Sequence, residues 1–436
     1  MNRVFLTNCR LIDGTGAPAV EDAVLVYEEA KTPVTDKRIL YAGKAALCGL
    51  EPDSGDTVVD LTGYSILPGL INAHVHLYSM GCGNLETPYI TLMYYRHLAE
   101  SLFTGVTTMR SVGGSDNIDV NLRNAVETGM LWGARLVTCG SPILPHAGHC
   151  FHTRGSIQCT GKDEFARAVR QELGKGVDQI KLMYSGGAGG NRYEGMYNKH
   201  ITDEEGKAAC DIAHLNGKIV SAHLSNDEAV RGAVKCGVDS VEHAYNINEE
   251  TAAMMAEHNV FYVPTLAITD ILKASEGYQR QISQASIDRL IKAHPRHMEA
   301  AGFVWKAGLR KFCTGTDTIP SDMFDGTYAT TYETELLTQI GLSPLEAIQA
   351  ATSNGAALCG LAGVVGELKE GLVGDIIAVK GRPDENIHDL RNLDMVIHDC
   401  RTVFSNVPGY VKEKAFWPFP AGHDRLYGLE SRWPVD

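Results

Sequence analysis

The sequence predicts an α/β fold: a (β/α)8 barrel of the TIM type joined to a composite β-sandwich made from both chain ends. Two observations predict it. From about Asn72 onward, short apolar strand-like runs alternate with amphipathic helical runs, and eight strands can be counted. Before that stretch, and again near the end of the chain, short strands are punctuated by turn residues.

The elements follow in order. The first part reads as strands in "RVFLTNCRLI", "DAVLVYEE", "RILYAG" and "DTVVDLTG". The barrel strands are expected at 71–77, 106–112, 134–140, 178–184, 218–223, 239–243, 260–265 and 311–317. Helical runs fall between most of them, at 91–103, 117–128, 162–173, 203–216, 227–235, 248–257 and 287–307. A proline-started helix pair, "SPLEAIQAATSNGAALCGL", follows the eighth strand. Strand-like pieces then return in "VGELKEGLVGDIIAVKG" and "LDMVIHDCRTVFSN". The aromatic, proline-rich tail is expected to drape over a surface. Residues 1–66 and 364–436 are thus assigned to the sandwich and tail, and 67–363 to the barrel.

The 436 residues, 44% hydrophobic and 21% charged, have the composition of a globular protein. A formal net charge of −14 argues against nucleic acid or an anionic membrane as partner, since both select basic surfaces. No long apolar run is present, so neither a signal peptide nor a membrane span is expected. The 11 cysteines are scattered without CxxC pairs. That pattern fits reduced thiols in a cytoplasmic enzyme better than a disulfide framework. A homo-oligomer acting on a small molecule is expected.

In a barrel of this kind the chemistry sits at the C-terminal ends of the strands. Strand one ends with His74 and His76, two residues apart and so on the same side. Strand four carries Lys181, strand five ends at His223, strand six at His243 and strand eight at Asp317. Imidazole and carboxylate are ligands that zinc and similar ions prefer. A lone strand histidine is more often a structural hydrogen-bonding residue; the ordered set is a stronger signal. Lys181 stands in the apolar run "GVDQIKLMYSGG", where an ammonium is costly to desolvate. Burial favours the neutral amine. Such an amine can add carbon dioxide to give a carbamate able to bridge two metal ions. The structural alternative is an ion pair with a barrel carboxylate.

The chain resembles the amidohydrolase superfamily, close to its imidazolonepropionase-like and Xaa-Pro dipeptidase (prolidase-like) branch. The resemblance spans nearly the whole chain. It is carried by "LPGLINAHVHL", "GVDQIKLMYSGG", "SAHLSN", "VEHAYN", "CTGTDT" and "SPLEAIQAATSNGAALCGL". It implies two divalent metal ions, zinc first among them. His74, His76 and Asp317 would hold one ion, His223 and His243 the other, and Lys181, as a carbamate, would bridge both. Asp317 would also act as general base and then acid. His149, in "LPHAGHCFHTRG", would contact substrate and stabilise the oxyanion. From the residues themselves, Arg154 is a candidate to pair with a substrate carboxylate, with Arg192 as a second option, and Tyr245 is a candidate substrate contact.

Three departures from the branch bear on the substrate. Ser225 stands where a carboxylate-holding tyrosine is frequent. Strand two ends Arg110-Ser111 instead of Arg-Asp. Asp322 and Asp325 follow the catalytic aspartate, either as solvated loop charges or as readers of a cationic group. The activity implied is hydrolysis of an amide C–N bond in a dipeptide or N-acyl amino acid. Opening of a cyclic amide, deamination and a non-catalytic scaffold are the other readings.

Overall fold

The computed structural model describes residues 2–30, 38–77, 85–189 and 194–414. In chain order it opens with β1 (Arg3–Leu11), β2 (Val20–Glu28), β3 (Ile39–Lys44), β4 (Thr57–Asp60) and β5 (Tyr64–Pro68). The alternating part follows as β6 (Leu70–Val75), α1 (Thr87–Ser101), β7 (Val106–Ser111), α2 (Ile118–Glu127), β8 (Arg135–Val137), β9 (Ile143–Pro145), β10 (Ile157–Cys159), α3 (Lys162–Gly174) and β11 (Gln179–Met183). It continues with α4 (Asp203–Leu215), β12 (Ile219–Asn226), α5 (Asp227–Cys236), β13 (Ser240–Asn246), α6 (Glu249–Glu257), β14 (Phe261–Val263), α7 (Leu266–Thr269), α8 (Glu276–Gln279) and α9 (Gln284–Lys306). The chain then forms β15 (Met323–Phe324), β16 (Thr327–Tyr328), α10 (Ala329–Gln339), α11 (Pro344–Ala350), α12 (Ser353–Leu358), β17 (Ile376–Lys380), β18 (Leu393–His398) and β19 (Arg401–Ser405).

Strands from the two chain ends share one eight-stranded sheet, in the order β19-β18-β17-β5-β1-β2-β3 with β4 beside β1. The join is the antiparallel ladder from Pro68↔Ile376 to Tyr64↔Lys380. One face of this sheet buries Leu6, Leu25, Tyr27, Ile66, Ile376 and Ile397 in a common core.

Of the remaining strands, β15 and β16 form a small antiparallel pair and the others are parallel. β6, β7 and β8 form one sheet, and β9, β11, β12, β13 and β14 lie in a second with β10 at its edge. The backbone links them. Asp178 N and Gln179 N both donate to Thr138 O, at 2.9 and 3.1 Å, tying β11 to the end of β8. β11 is buried along its whole length, as its apolar run requires. The helices close with the caps their sequences carry. Thr202 and Glu205 form a capping box at α4, and Asn226 and Asn248 cap α5 and α6.

The eighth expected strand, 311–317, is not a regular strand. Only single parallel bridges mark its place, Tyr262↔Phe312 and Val75↔Thr318. The cause is a backbone turn. Thr316 N and Asp317 N converge on the same carbonyl, His74 O, at 3.1 and 2.9 Å, and Asp317 has φ +56°. That conformation ends the ladder and turns the carboxylate inward. The short strands β9 and β10 flank the stretch that carries His149. The tail beyond residue 414 lies outside the described residues.

Gly315 sits where these strands meet. A Cβ there would lie 2.4 Å from Val263 Cγ1 and 2.6 Å from His74 Cβ. Gly315→Ala is therefore expected to destabilise the protein by about 1–3 kcal/mol, the usual range for overpacking. The check is Tm in a thermal scan; a variant melting with the wild type would contradict this close approach.

Candidate active site

The C-terminal strand ends open into a cavity of about 620 Å³. His74, His76, His149, Lys181, His223, His243, Tyr245 and Asp317 all line it. They arrive from several strand ends and loops, His74 with His76 from the end of β6 and His243 with Tyr245 from β13, so the ordered set in the sequence becomes a cluster in space.

Asp317 is the meeting point. Its Oδ1 lies 3.3 Å from His74 Nε2 and 3.1 Å from His76 Nε2. Burial pushes its carboxyl up, but the two histidine contacts more than offset this and hold it well below the usual carboxylate range. His74, His243 and Asp317 place their donor atoms within 4.8 Å of one another, a group able to hold a metal ion. The rings pack in a chain: His74 to His243 at 4.8 Å between centroids, His243 to His223 at 4.6 Å, and His223 to His149 at 4.5 Å.

The hydrogen bonds around these rings fit a cation. His74 Nδ1 is 2.7 Å from Glu242 Oε2, which leaves Nε2 turned to Asp317. His243 Nδ1 is 2.7 Å from Thr265 Oγ1. His223 Nε2 is 3.0 Å from the carbonyl of Gly186, an acceptor only, so this nitrogen carries the proton. In His223 and His243 one nitrogen is fixed by a neighbour and the other is left as a lone-pair donor, the arrangement found around metal-bound histidines. Burial pushes His223 and His243 well below the ordinary histidine pKa, so both rings are neutral at pH 7.

Lys181 is 1% exposed and lines the same cavity. Burial lowers its pKa, against the opposing charges of Glu242 and Asp317. None of the ion pairs among the described residues involves Lys181, so the structural alternative of an ion pair finds no support there. A buried amine without a carboxylate partner suits a chemical role better than a structural one.

Beneath the cluster lies a buried charge network. Arg110, 0% exposed, donates to Glu242 Oε1 at 2.6 Å, Gln179 Oε1 at 3.0 Å and Ala73 O at 2.5 Å. Glu242 in turn holds His74. Burial pushes its carboxyl up, but Arg110 and His74 hold it far below the ordinary value. The strand-two arginine, which looked like half of a broken motif, is thus the foundation of the site.

A model of the amidohydrolase family matches residues 65–408. The chain belongs to that family. Membership supports a hydrolase of carbon–nitrogen bonds. This amidohydrolase is 28% identical to the ochratoxinase of Aspergillus niger over 426 residues, 89% of this chain and 83% of that one. A Xaa-Pro dipeptidase with bound methionine in its active site superposes with a TM-score of 0.79 at 26% identity, covering 92% of this chain and 99% of the other. A putative prolidase from Bifidobacterium longum gives 0.78 at 27% identity, covering 94% and 96%. The superfamily and the prolidase-like resemblance read from the motifs agree with these matches.

The expected substrate contacts divide. His149 is buried, and its Nδ1 lies 2.6 Å from Glu194 Oε1. Burial opposes protonation, but the Cys150 sulfur and Glu194 carboxylate raise its pKa to about 10. A Cβ on Gly187 would fall 2.5 Å from His149 Nε2, so the glycine loop passes where only glycine fits. Tyr245 stacks on His243, with centroids 5.0 Å apart. Arg154 lines the cavity, but its guanidinium is already held: Leu85 O and Thr87 Oγ1 at 2.6 Å each, Asp116 at 2.9 Å. Arg192 lies outside the described residues. His146 is tied to Thr160 at 2.8 Å, as a loop-holding residue would be. Ser225 is occupied with Ser185 at 2.8 Å. Asp325 pairs with Lys273 and Arg391, whereas Asp322 is 5% exposed and faces the cavity. Asp322 is therefore not a solvated loop charge.

Glu242, Thr265 and Glu194 were not singled out from sequence. Glu242 sits beside His243 in "VEHAYN", which was signal enough to notice. Thr265 and Glu194 reach the site only through tertiary folding. Thr265→Ala should weaken divalent metal binding by roughly ten- to a hundredfold, the usual effect of losing such an outer partner. Thr265→Ser, which restores the hydroxyl, should bind nearly as the wild type does. A metal titration of both variants decides; equal affinity for Ala and Ser would remove Thr265 from the site.

No helix among the described residues is long and apolar enough to cross a membrane.

Proposed function

We propose that the protein is a binuclear metal-dependent amidohydrolase that cleaves the C–N amide bond of a dipeptide or N-acyl amino acid. One observation carries this reading. His74, His76, His223, His243, Asp317 and the buried Lys181, which forms no ion pair among the described residues, line a single cavity in a chain of the amidohydrolase family. The likeness to a Xaa-Pro dipeptidase and a putative prolidase supports the peptide-like substrate. Closure of the parallel strands into an eight-membered barrel is part of the same proposal, supported by the bridges at Phe312 and Thr318. So is the division into a barrel at 67–363 and a composite sandwich.

His74, His76 and Asp317 would hold one ion, His223 and His243 the second, and Lys181, as a carbamate, would join them. Zinc fits this nitrogen and oxygen donor set. Divalent ions held there supply Lewis acidity, lowering the pKa of water and polarising a carbonyl. The chain's own residues do the rest. Asp317 is ionised and can take the proton of the attacking water. It then returns that proton to the leaving nitrogen, acting as base and then acid. His149, kept cationic by Glu194, donates to the oxygen on which charge develops. The buried walls exclude bulk water, which strengthens both interactions. The free state of all ten cysteines among the described residues supports a cytoplasmic location.

The first experiment is a screen of zinc-reconstituted protein against dipeptides and N-acyl amino acids, reading released amino acid. Asp317→Asn should keep most of the metal and lose about a hundred- to ten-thousandfold in kcat. A kcat near wild type would remove it as the base. Lys181→Ala should lose the second metal equivalent and the carbamate carbon signal that labelled bicarbonate gives in the wild type. Two retained metals would end the bridging role.

A further inference from the structure

Asp322 is a charge-bearing residue in the cavity that the proposed chemistry does not use. Among the described residues, the only carboxylates lining the cavity are Asp317 and Asp322. Asp317 is engaged by His74 and His76. Asp322 is not matched by any cation: none of the ion pairs among the described residues includes it. Its Oδ2 accepts a hydrogen bond from Ile319 N at 3.1 Å.

The side chain is held in place, not left to solvent. Asp322 N donates to Ile319 O at 2.9 Å, closing a turn directly after Asp317. Ala329 N, at the start of α10, donates to Asp322 O at 2.8 Å. The carboxyl is therefore built into the wall on a loop pinned at both ends. The cavity it lines offers apolar contacts from Ile90, Ile268, Ile282, Leu290 and Ile319 alongside polar residues such as Gln281, Ser283 and Ser286. Burial and the nearby Glu100 push its pKa up to about 7. A buried carboxylate without a counter-charge is costly, and a ligand that brings a cation removes that cost.

We propose that Asp322 is a specificity-determining residue that receives a protonated amine of the substrate in a cavity that also offers apolar contacts. This rests on the amide-hydrolase reading and narrows it. Within the proposed range, substrates with a free ammonium beside an apolar group are preferred over their N-acylated counterparts. The ammonium supplies the charge that the wall lacks, and the apolar group fills the space beside it. Removing the carboxylate charge removes the preference and leaves the apolar contact.

The test has two arms, both on the zinc-reconstituted full chain. The first compares hydrolysis of L-leucyl-L-leucine with that of N-acetyl-L-leucyl-L-leucine, for wild type and Asp322→Asn. Asparagine keeps the volume and can still accept from Ile319 N. The ratio of kcat/KM, free over acetylated, should fall roughly tenfold in the variant, the value of one charge-assisted hydrogen bond. An unchanged ratio, or a wild type that prefers the acetylated compound, overturns the proposal. The second arm needs no turnover. Isothermal titration measures binding of 3-methylbutylamine and of 3-methylbutanol, its uncharged counterpart. The amine should bind more tightly to wild type, and the gap should close in Asp322→Asn. An amine preference of equal size in both proteins overturns the proposal. Loss of all hydrolysis with an intact, Asp322-dependent amine preference would sink the amide reading and leave Asp322 standing. Should Asp322→Asn not fold, Asp322→Ser serves the same comparison.

Discussion

The site rests on a charge buried where water does not reach. Glu242 is wholly enclosed, with Arg110 on one oxygen and His74 on the other. Each member satisfies the next. Without Arg110 the carboxylate would be an uncompensated buried ion, a loss of about 3–5 kcal/mol. Without Glu242 the His74 ring would lose the contact that fixes its proton on Nδ1. The network therefore ties a stability requirement to a chemical one: the interaction that makes a buried arginine tolerable also aims Nε2 of His74 at Asp317. Gln179, at the start of the lysine-bearing strand, shares the same arginine. Strands two, four and six are thus registered through one guanidinium.

Strained backbone does the second part of the work. His243, Ala244, Thr265 and Asp317 all have positive φ, between 54° and 64°. Non-glycine residues adopt this region only where the surroundings enforce it. At His243 two donors pull on one carbonyl: Tyr262 Oη at 2.9 Å and His297 Nε2 at 3.0 Å. At Thr265 the following amides, Leu266 N and Ala267 N, are held by the buried Glu333 at 2.9 and 2.6 Å. The turn then presents Thr265 to His243. Rigid strands deliver the side chains, and these short turned segments set their final direction.

Much of this was legible in the sequence, for a physical reason. A strand has a period of two and a fixed direction, so His74, His76, His223 and His243 could be placed at strand ends from alternation alone. Lys181 announced itself by standing in an apolar run. Several helices, α4, α5 and α6 among them, carried their own caps. What was not legible depends on turns. The eighth strand lost its ladder because Asp317 bends the backbone, and the sequence "CTGTDT" does not state a φ angle. Glu194 and Thr265 act from loops whose course only the folded chain defines. Arg154 looked like a substrate clamp because an arginine in a loop shows no partners in a sequence; the fold gives it three. Asp322 and Asp325, three residues apart, looked alike, yet the turn at Ile319 buries one and leaves the other among surface cations.

These observations divide the molecule by rigidity. The proposed chemistry is carried by side chains on strand ends, locked from below by buried charge and from the side by strained turns. Above them, the 143–159 segment with its short strands and the turn that carries Asp322 contribute lining to the cavity. On the proposed reading, substrate choice is to be sought in Asp322, which forms no ion pair among the described residues, and not in the cluster beneath it.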